Sequence, residues 1–195
     1  IGDLDGDGLD DLITQECACC GAVSNNTGYA VSFAQGFASA TSLWDLPHAA
    51  CSGYRSLTLV DIDGTGPLEV INSDENALHL LDGATGKTLA SSPPLGSWTQ
   101  GYSCRGHNVD DAPGDEILCV LNRSTLPAID QRRITVLKRN GNSLDVLWST
   151  IVAPDDGGDV SYVDPFVDLN GDGVIEVAIA SKDAQDLWTT RIFDA

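Results

Sequence analysis

Methionine is absent from all 195 residues, position 1 included. Such a start does not read as an untouched translation start, and the chain is expected to be a piece of a longer protein or assembly. Basic side chains are scarce: 10 Lys and Arg stand against 29 Asp and Glu, a net charge of −19. A surface for phosphates needs clustered cations, so nucleic acid is ruled out as a partner. Docking on an anionic membrane is disfavoured for the same reason. No apolar run approaches the roughly 18 residues of a membrane span. A basic-then-apolar leader is missing too, since Ile1-Gly2-Asp3 begins directly in acidic sequence. Aromatic residues are few, 6%, and no stretch carries a helical period.

What is present is acid, glycine and repetition. The hydrophobic fraction of 42% suits a globular chain. Asp3-Leu4-Asp5-Gly6-Asp7-Gly8-Leu9-Asp10-Asp11 recurs as Asp61-Ile62-Asp63-Gly64-Thr65-Gly66-Pro67-Leu68-Glu69. It recurs again as Asp168-Leu169-Asn170-Gly171-Asp172-Gly173-Val174-Ile175-Glu176. A worn copy, Asn108-Val109-Asp110-Asp111-Ala112-Pro113-Gly114-Asp115-Glu116, lies between the last two. The copies stand about 45–60 residues apart, somewhat beyond the usual period of about 40–50 for a propeller blade.

Short apolar or alternating runs, rich in β-branched residues, flank each copy. Leu57–Val60 precedes one, and Val70-Ile71, Ile117–Leu121 and Val177–Ala180 follow others. Gly-rich turns then lead into further strands, as at Asp82-Gly83-Ala84-Thr85-Gly86 and Asn140-Gly141-Asn142. Each unit therefore reads as four antiparallel strands with an acidic loop in its first hairpin. Such a sheet cannot bury both faces alone, so neighbours must cover it. The expected fold is all-β, a β-propeller of four-stranded antiparallel blades. About three and a half blades fit in a single partial propeller over residues 1–195, with units near 1–50, 51–98, 99–153 and 154–195.

The loops have the chemistry of a hard-cation site. Calcium takes roughly six to eight oxygens. Oxygens on alternate residues can wrap one ion, with a backbone carbonyl filling the gap. The expected ligands are Asp3, Asp5, Asp7, Leu9 (backbone) and Asp11; Asp61, Asp63, Thr65, Pro67 (backbone) and Glu69; and Asp168, Asn170, Asp172, Val174 (backbone) and Glu176. An EF-hand would close with an acid at position 12. Here Thr14, Asn72 and Ile179 stand there and the acid is at position 9. Four carboxylates in nine residues repel one another in a folded hairpin without a cation. Two to three structural Ca2+ ions are expected. The third loop, lacking oxygen at Ala112 and Gly114, is expected to be empty or weak.

The Asp-Leu-Asp-Gly-Asp-Gly-Leu-Asp-Asp-Leu run and its sister copies resemble the FG-GAP/VCBS repeats of integrin-α-type propellers and of many secreted bacterial proteins. The resemblance implies a propeller whose blade hairpins each hold calcium. Leu81–Lys87 also resembles the turn of quinoprotein-type propellers, and is taken as a shared blade turn without a quinone.

Six cysteines, beside calcium loops and an acidic surface, point to an oxidising, extracellular or cell-surface setting. Counted outward from the worn loop, Cys104 and Cys119 fall nearly opposite each other, which predicts a disulfide. Cys51 is expected to pair with one of Cys17, Cys19 or Cys20. Asn25-Asn26-Thr27 and Asn122-Arg123-Ser124 match the glycosylation pattern. No catalytic residue is assigned: His48, His79 and His107 are isolated, and the carboxylates are committed to the loops. The expected role is a calcium-stabilised scaffold for a protein or carbohydrate partner, or for adhesion. The alternatives are the propeller portion of a polysaccharide lyase-like enzyme and the structural repeat of a surface fibre.

Overall fold

The computed structural model describes residues 1–16, 27–34, 38–47, 57–73, 76–96, 101–108, 114–122, 132–151, 160–161, 166–182 and 187–194. The architecture is all-β, as expected, with no α-helix among the described residues. The first unit has β1 (Leu12–Glu16), β2 (Thr27–Phe33) and β3 (Ala40–Pro47), in that order, with a bridge from Gly2 to Asp11 on the β1 side. The second has β4 (Thr58–Val60), β5 (Glu69–Ser73), β6 (Leu78–Leu81) and β7 (Thr88–Ser91). The third has β8 (Gly101–His107), β9 (Glu116–Asn122), β10 (Arg132–Asn140) and β11 (Ser143–Ile151). In the fourth, β12 (Val160–Ser161) and β13 (Phe166–Val167) both pair with β14 (Glu176–Lys182), which pairs with β15 (Trp188–Asp194).

The second and third units join into one eight-stranded sheet, ordered β4-β5-β6-β7-β11-β10-β9-β8. The join is a single parallel pair, Ser91 with Ser143, where the Ser91 N–H donates to the Asn142 carbonyl at 3.2 Å. At the other end β4 lies against β8, so the sheet nearly closes on itself like a barrel. Two antiparallel meanders thus face each other across one core. That core holds Ile71, Leu78 and Leu80 from one side and Ile117, Leu121, Leu137 and Leu144 from the other.

The strand period of two decides where each unit looks. Val70, just after the position-9 acid of the second unit, packs on Leu4, Ala30 and Trp44 of the first. Its neighbour Ile71 points the opposite way, into the core shared with the third unit. In the third unit Ile117 looks back at the second, while Leu118 packs with Phe166 and Val177 of the fourth. Three apolar cores therefore lie between consecutive units, and the second and third units are covered on both faces. Each fully buried Leu or Ile contributes about 1.5–3 kcal/mol by leaving water. Leu137→Ala would forfeit about 2–5 kcal/mol, because the rigid sheets cannot close the hole.

Close inter-unit packing is fixed by two glycines. A Cβ at Gly83 would run into the Leu68 carbonyl oxygen and Leu4, and one at Gly114 into the Ile62 carbonyl. Trp44 locks the first unit onto the second by donating its indole N–H to the Gly83 carbonyl at 2.6 Å. Cys104 and Cys119 sit directly opposite in the β8–β9 register and form the expected disulfide. No helix among the described residues is long and apolar enough to cross a membrane.

Candidate metal centres

The acidic loops join β4 to β5, β8 to β9 and β13 to β14, and in the first unit the Gly2 bridge to β1; three of them repeat one hydrogen-bond pattern. The position-1 carboxylate accepts the N–H of the position-4 glycine: Gly6 to Asp3 at 2.7 Å, Gly64 to Asp61 at 2.8 Å, Gly171 to Asp168 at 2.6 Å. These glycines have φ of 82°, 68° and 79°, a left-handed turn that a Cβ would resist. The position-3 side chain accepts from the position-5 amide: Asp7 to Asp5, Thr65 to Asp63, Asp172 to Asn170. The position-9 acid reaches back to the position-2 N–H: Leu4 to Asp11 at 2.8 Å, Ile62 to Glu69 at 3.0 Å, Leu169 to Glu176 at 2.8 Å. All three closing acids are buried.

The first and fourth loops are nearly superimposable in this respect. Asp3 and Asp168 also take the Gly8 and Gly173 amides, and Asp7 and Asp172 take those of Leu9 and Val174. Asn170 turns its amide NH2 onto Asp172 at 3.0 Å. The second loop differs at two of its predicted ligands. Pro67 has no N–H to give, and the Thr65 hydroxyl donates to Asp63 at 2.6 Å.

Among the described residues only the first loop brings three acidic side chains together; Asp61, Asp63 and Glu69, and Asp168, Asp172 and Glu176, form no such group. One oxygen each of Asp3, Asp5 and Asp11 lie within 4.8 Å of one another. Asp11 is fully buried, its Oδ2 held by the Leu4 amide and its Oδ1 without a hydrogen-bond partner. A buried carboxylate oxygen lacking a donor is costly; a hard cation between the three carboxylates would satisfy it. In the second loop, burial pushes the Glu69 carboxyl above its ordinary range; the Ile62 N–H opposes this, and Asp63 and Asp61 add to it. A cation there would reverse the balance.

The third loop is built otherwise. Residues 109–113 lie outside the described set, so Asp110 and Asp111 have no described place. Its closing acid, Glu116, is buried and paired with the Lys138 ammonium at 2.7 Å. The cation at this position is therefore a side chain of the protein itself. Sequence reasoning missed Lys138 because the pair depends on the β9–β10 register: β10 pairs Leu137 with Ile117, and one residue further along sets Lys138 opposite Glu116. Asp115 was missed as well. Its carboxyl is pushed up by burial and by Asp61 of the preceding loop, against a lowering by His107.

The loops also touch in sequence. In the second and third units the position-8 amide reaches back to the start of the preceding loop. Leu68 N–H donates to the Asp3 carbonyl at 2.8 Å, and Asp115 N–H to the Asp61 carbonyl at 3.0 Å. Ile175 N–H, in the fourth unit, donates to His107 Nε2 at 3.3 Å, one residue before the third loop begins. His107 and His79, whose Nδ1 meets Ser91 Oγ at 2.8 Å, thus have structural contacts. The pairings expected of Cys17, Cys19, Cys20 and Cys51 fall outside the described residues, as do His48 and the remaining parts of both glycosylation triplets beyond Thr27 and Asn122. No protein-family model, no curated protein and no solved structure matches the chain.

Proposed function

We propose that this chain is a segment of a calcium-stabilised β-propeller of the FG-GAP/VCBS kind, working outside the cell as a scaffold for a protein or carbohydrate partner. The ions are structural and sit in the first, second and fourth loops. The observation that carries the reading is Asp11, whose buried Oδ1 has no donor beside Asp3 and Asp5. The repeated hydrogen bonds in three loops support it, since they give the second and fourth loops the same backbone frame as the first. The propeller is supported by the order of the cores, each lying between one unit and the next. The Cys104–Cys119 disulfide suits an oxidising compartment.

Calcium binding here is folding free energy, because an ion that binds only the native hairpin shifts the equilibrium toward it. Calorimetric titration of chelator-treated protein with Ca2+ should show two to three sites. Calcium at about 100 times the dissociation constant should add about 2.7 kcal/mol per site. For a chain of this size that raises Tm by about 5–10 °C per site. No heat of binding, together with the same Tm in chelator and in calcium, would sink the proposal.

A further inference from the structure

The contacts between loops bear on how the sites fill, an inference that rests on the calcium reading above. Asp3 is held from two sides. Its carboxylate accepts from Gly6 and Gly8 inside the first loop, and its carbonyl accepts from Leu68 of the second unit. Leu68 is covalently next to Glu69, the closing acid of the second loop, and that acid is itself anchored to Ile62. One peptide unit therefore joins the first ligand of loop 1 to the last ligand of loop 2. The Gly6 position adds to this, since a Cβ built there would lie 3.1 Å from the Pro67 ring.

The next link in the series is different. Asp61 of loop 2 is joined through Asp115 to Glu116, but Glu116 is neutralised by Lys138. Among the described residues, loop 4 reaches the third unit through Ile175 and the His107 ring, which is no member of an acidic loop. A change at loop 2 thus meets a closing acid whose charge is already satisfied.

We infer that loops 1 and 2 take up divalent cations as a coupled pair, through the Asp3–Leu68–Glu69 link, whereas loop 4 fills independently. An ion that fixes the Asp3 backbone orients the Leu68 amide and with it Glu69. By linkage, filling loop 2 favours loop 1 by the same factor. A coupling of the usual size for linked sites is about five-fold or more in affinity.

The test is a Ca2+ titration of the 15N-labelled 195-residue chain, reading the amide resonances of Gly8, Gly64 and Gly173 for loops 1, 2 and 4. Asp11→Asn should weaken loop 2 by about five-fold or more and leave loop 4 within about two-fold. Glu69→Gln should weaken loop 1 by the same factor, and Glu176→Gln should leave loops 1 and 2 as they were. Asp5→Asn, a change nearer the loop tip, repeats the first arm should the Asp11 variant not fold. Unchanged affinity at Gly64 in the loop 1 variants would overturn the coupling while leaving calcium binding intact. Parallel losses at Gly64 and Gly173 would overturn it too, as a general loosening of the chain. Silence at all three glycines would remove the calcium reading, and the coupling with it.

Discussion

Replacing Asp11 with Asn should change stability with opposite signs in chelator and in calcium. In the metal-free chain Asp11 shares the loop with Asp3 and Asp5, with one oxygen of each within 4.8 Å. A like-charge pair at that distance costs about 3.5 kcal/mol at an effective dielectric of 20 and about 1 kcal/mol in bulk water. The loop faces solvent beside Asp7, so the lower figure is the better guide, giving about 2 kcal/mol of relief for two pairs. The Asn carbonyl oxygen can still accept the Leu4 amide, and its NH2 replaces the donorless Oδ1 with a donor aimed at two carboxylates. Weakening the charge-assisted bond to Leu4 costs about 1 kcal/mol in return. The net expectation without metal is a gain of about 1 kcal/mol, or about 2–4 °C in Tm. With calcium at about 100 times its dissociation constant the wild-type chain gains about 2.7 kcal/mol from loop 1, and the variant does not. The variant should then melt about 3–7 °C below wild type. Thermal melts with EGTA and with CaCl2, on the two proteins side by side, give both numbers. A variant that melts lower by the same amount in both buffers would refute the reasoning, because Asp11 would then be only a cap for Leu4.

The remaining expectations concern the parts that hold the loops. Lys138→Met leaves Glu116 buried without its cation; breaking such a pair costs about 3–5 kcal/mol when fully buried. Lys138 is 36% exposed, so water screens one end and about 1–3 kcal/mol is expected, equal in calcium and in chelator. A loss confined to one buffer would assign the pair to the metal system instead. Reducing Cys104–Cys119, which closes a 15-residue separation, should lower stability by about 3 kcal/mol, measured by denaturant midpoint with and without reductant. For pH, Glu69 and Asp115 both titrate above their ordinary values of 4.5 and 3.8 in the fold. The native state then holds protons that the unfolded chain releases, so their stabilisation is full below the ordinary values and lost as pH rises through the raised ones. Metal-free protein should therefore lose stability as pH climbs above about 4.5. Calcium should reverse that trend, and a metal-free chain that grows more stable over the same range would contradict it.

Much of the strand order was legible because the loops punctuate it. The nine-residue copies locate the first hairpin of each unit, and strands follow wherever β-branched runs abut them, as in Glu69–Ser73 and Glu116–Asn122. The Cys104–Cys119 register followed from counting outward from one loop. What stayed hidden depends on contacts between units, which no local pattern encodes. The strand Ala40–Pro47 opens with Ala, Thr and Ser, a run that turns and strands share, and is a strand because Trp44 is anchored on Gly83 of the next unit. Likewise the pairing of β7 with β11 rests on one serine pair whose side chains carry no signal.

The stacking of units does leave a trace in the sequence, in how continuous each second strand is. A strand covered on one face alternates; one covered on both faces reads as an unbroken apolar run. Ile117-Leu118-Cys119-Val120-Leu121 is unbroken, and all five side chains are buried. Alternate members divide between the core with the second unit and the core with the fourth. In the fourth unit the corresponding run, Val177–Ala180, is unbroken too, with Val177 looking back into the shared core and Ala178 looking the other way. In the first unit Ile13 packs against the core with the second unit and Leu12 is directed away from it, and both are half-buried. Continuity of this strand therefore marks the doubly covered third unit but not the second, where Val70-Ile71 is followed by Asn72-Ser73. The acidic loops stand at the start of the same strand, so position 9 ties each cation site to the residues that hold the stack. A carboxylate that closes an acidic loop and opens a strand packed between units has little freedom to move without disturbing both.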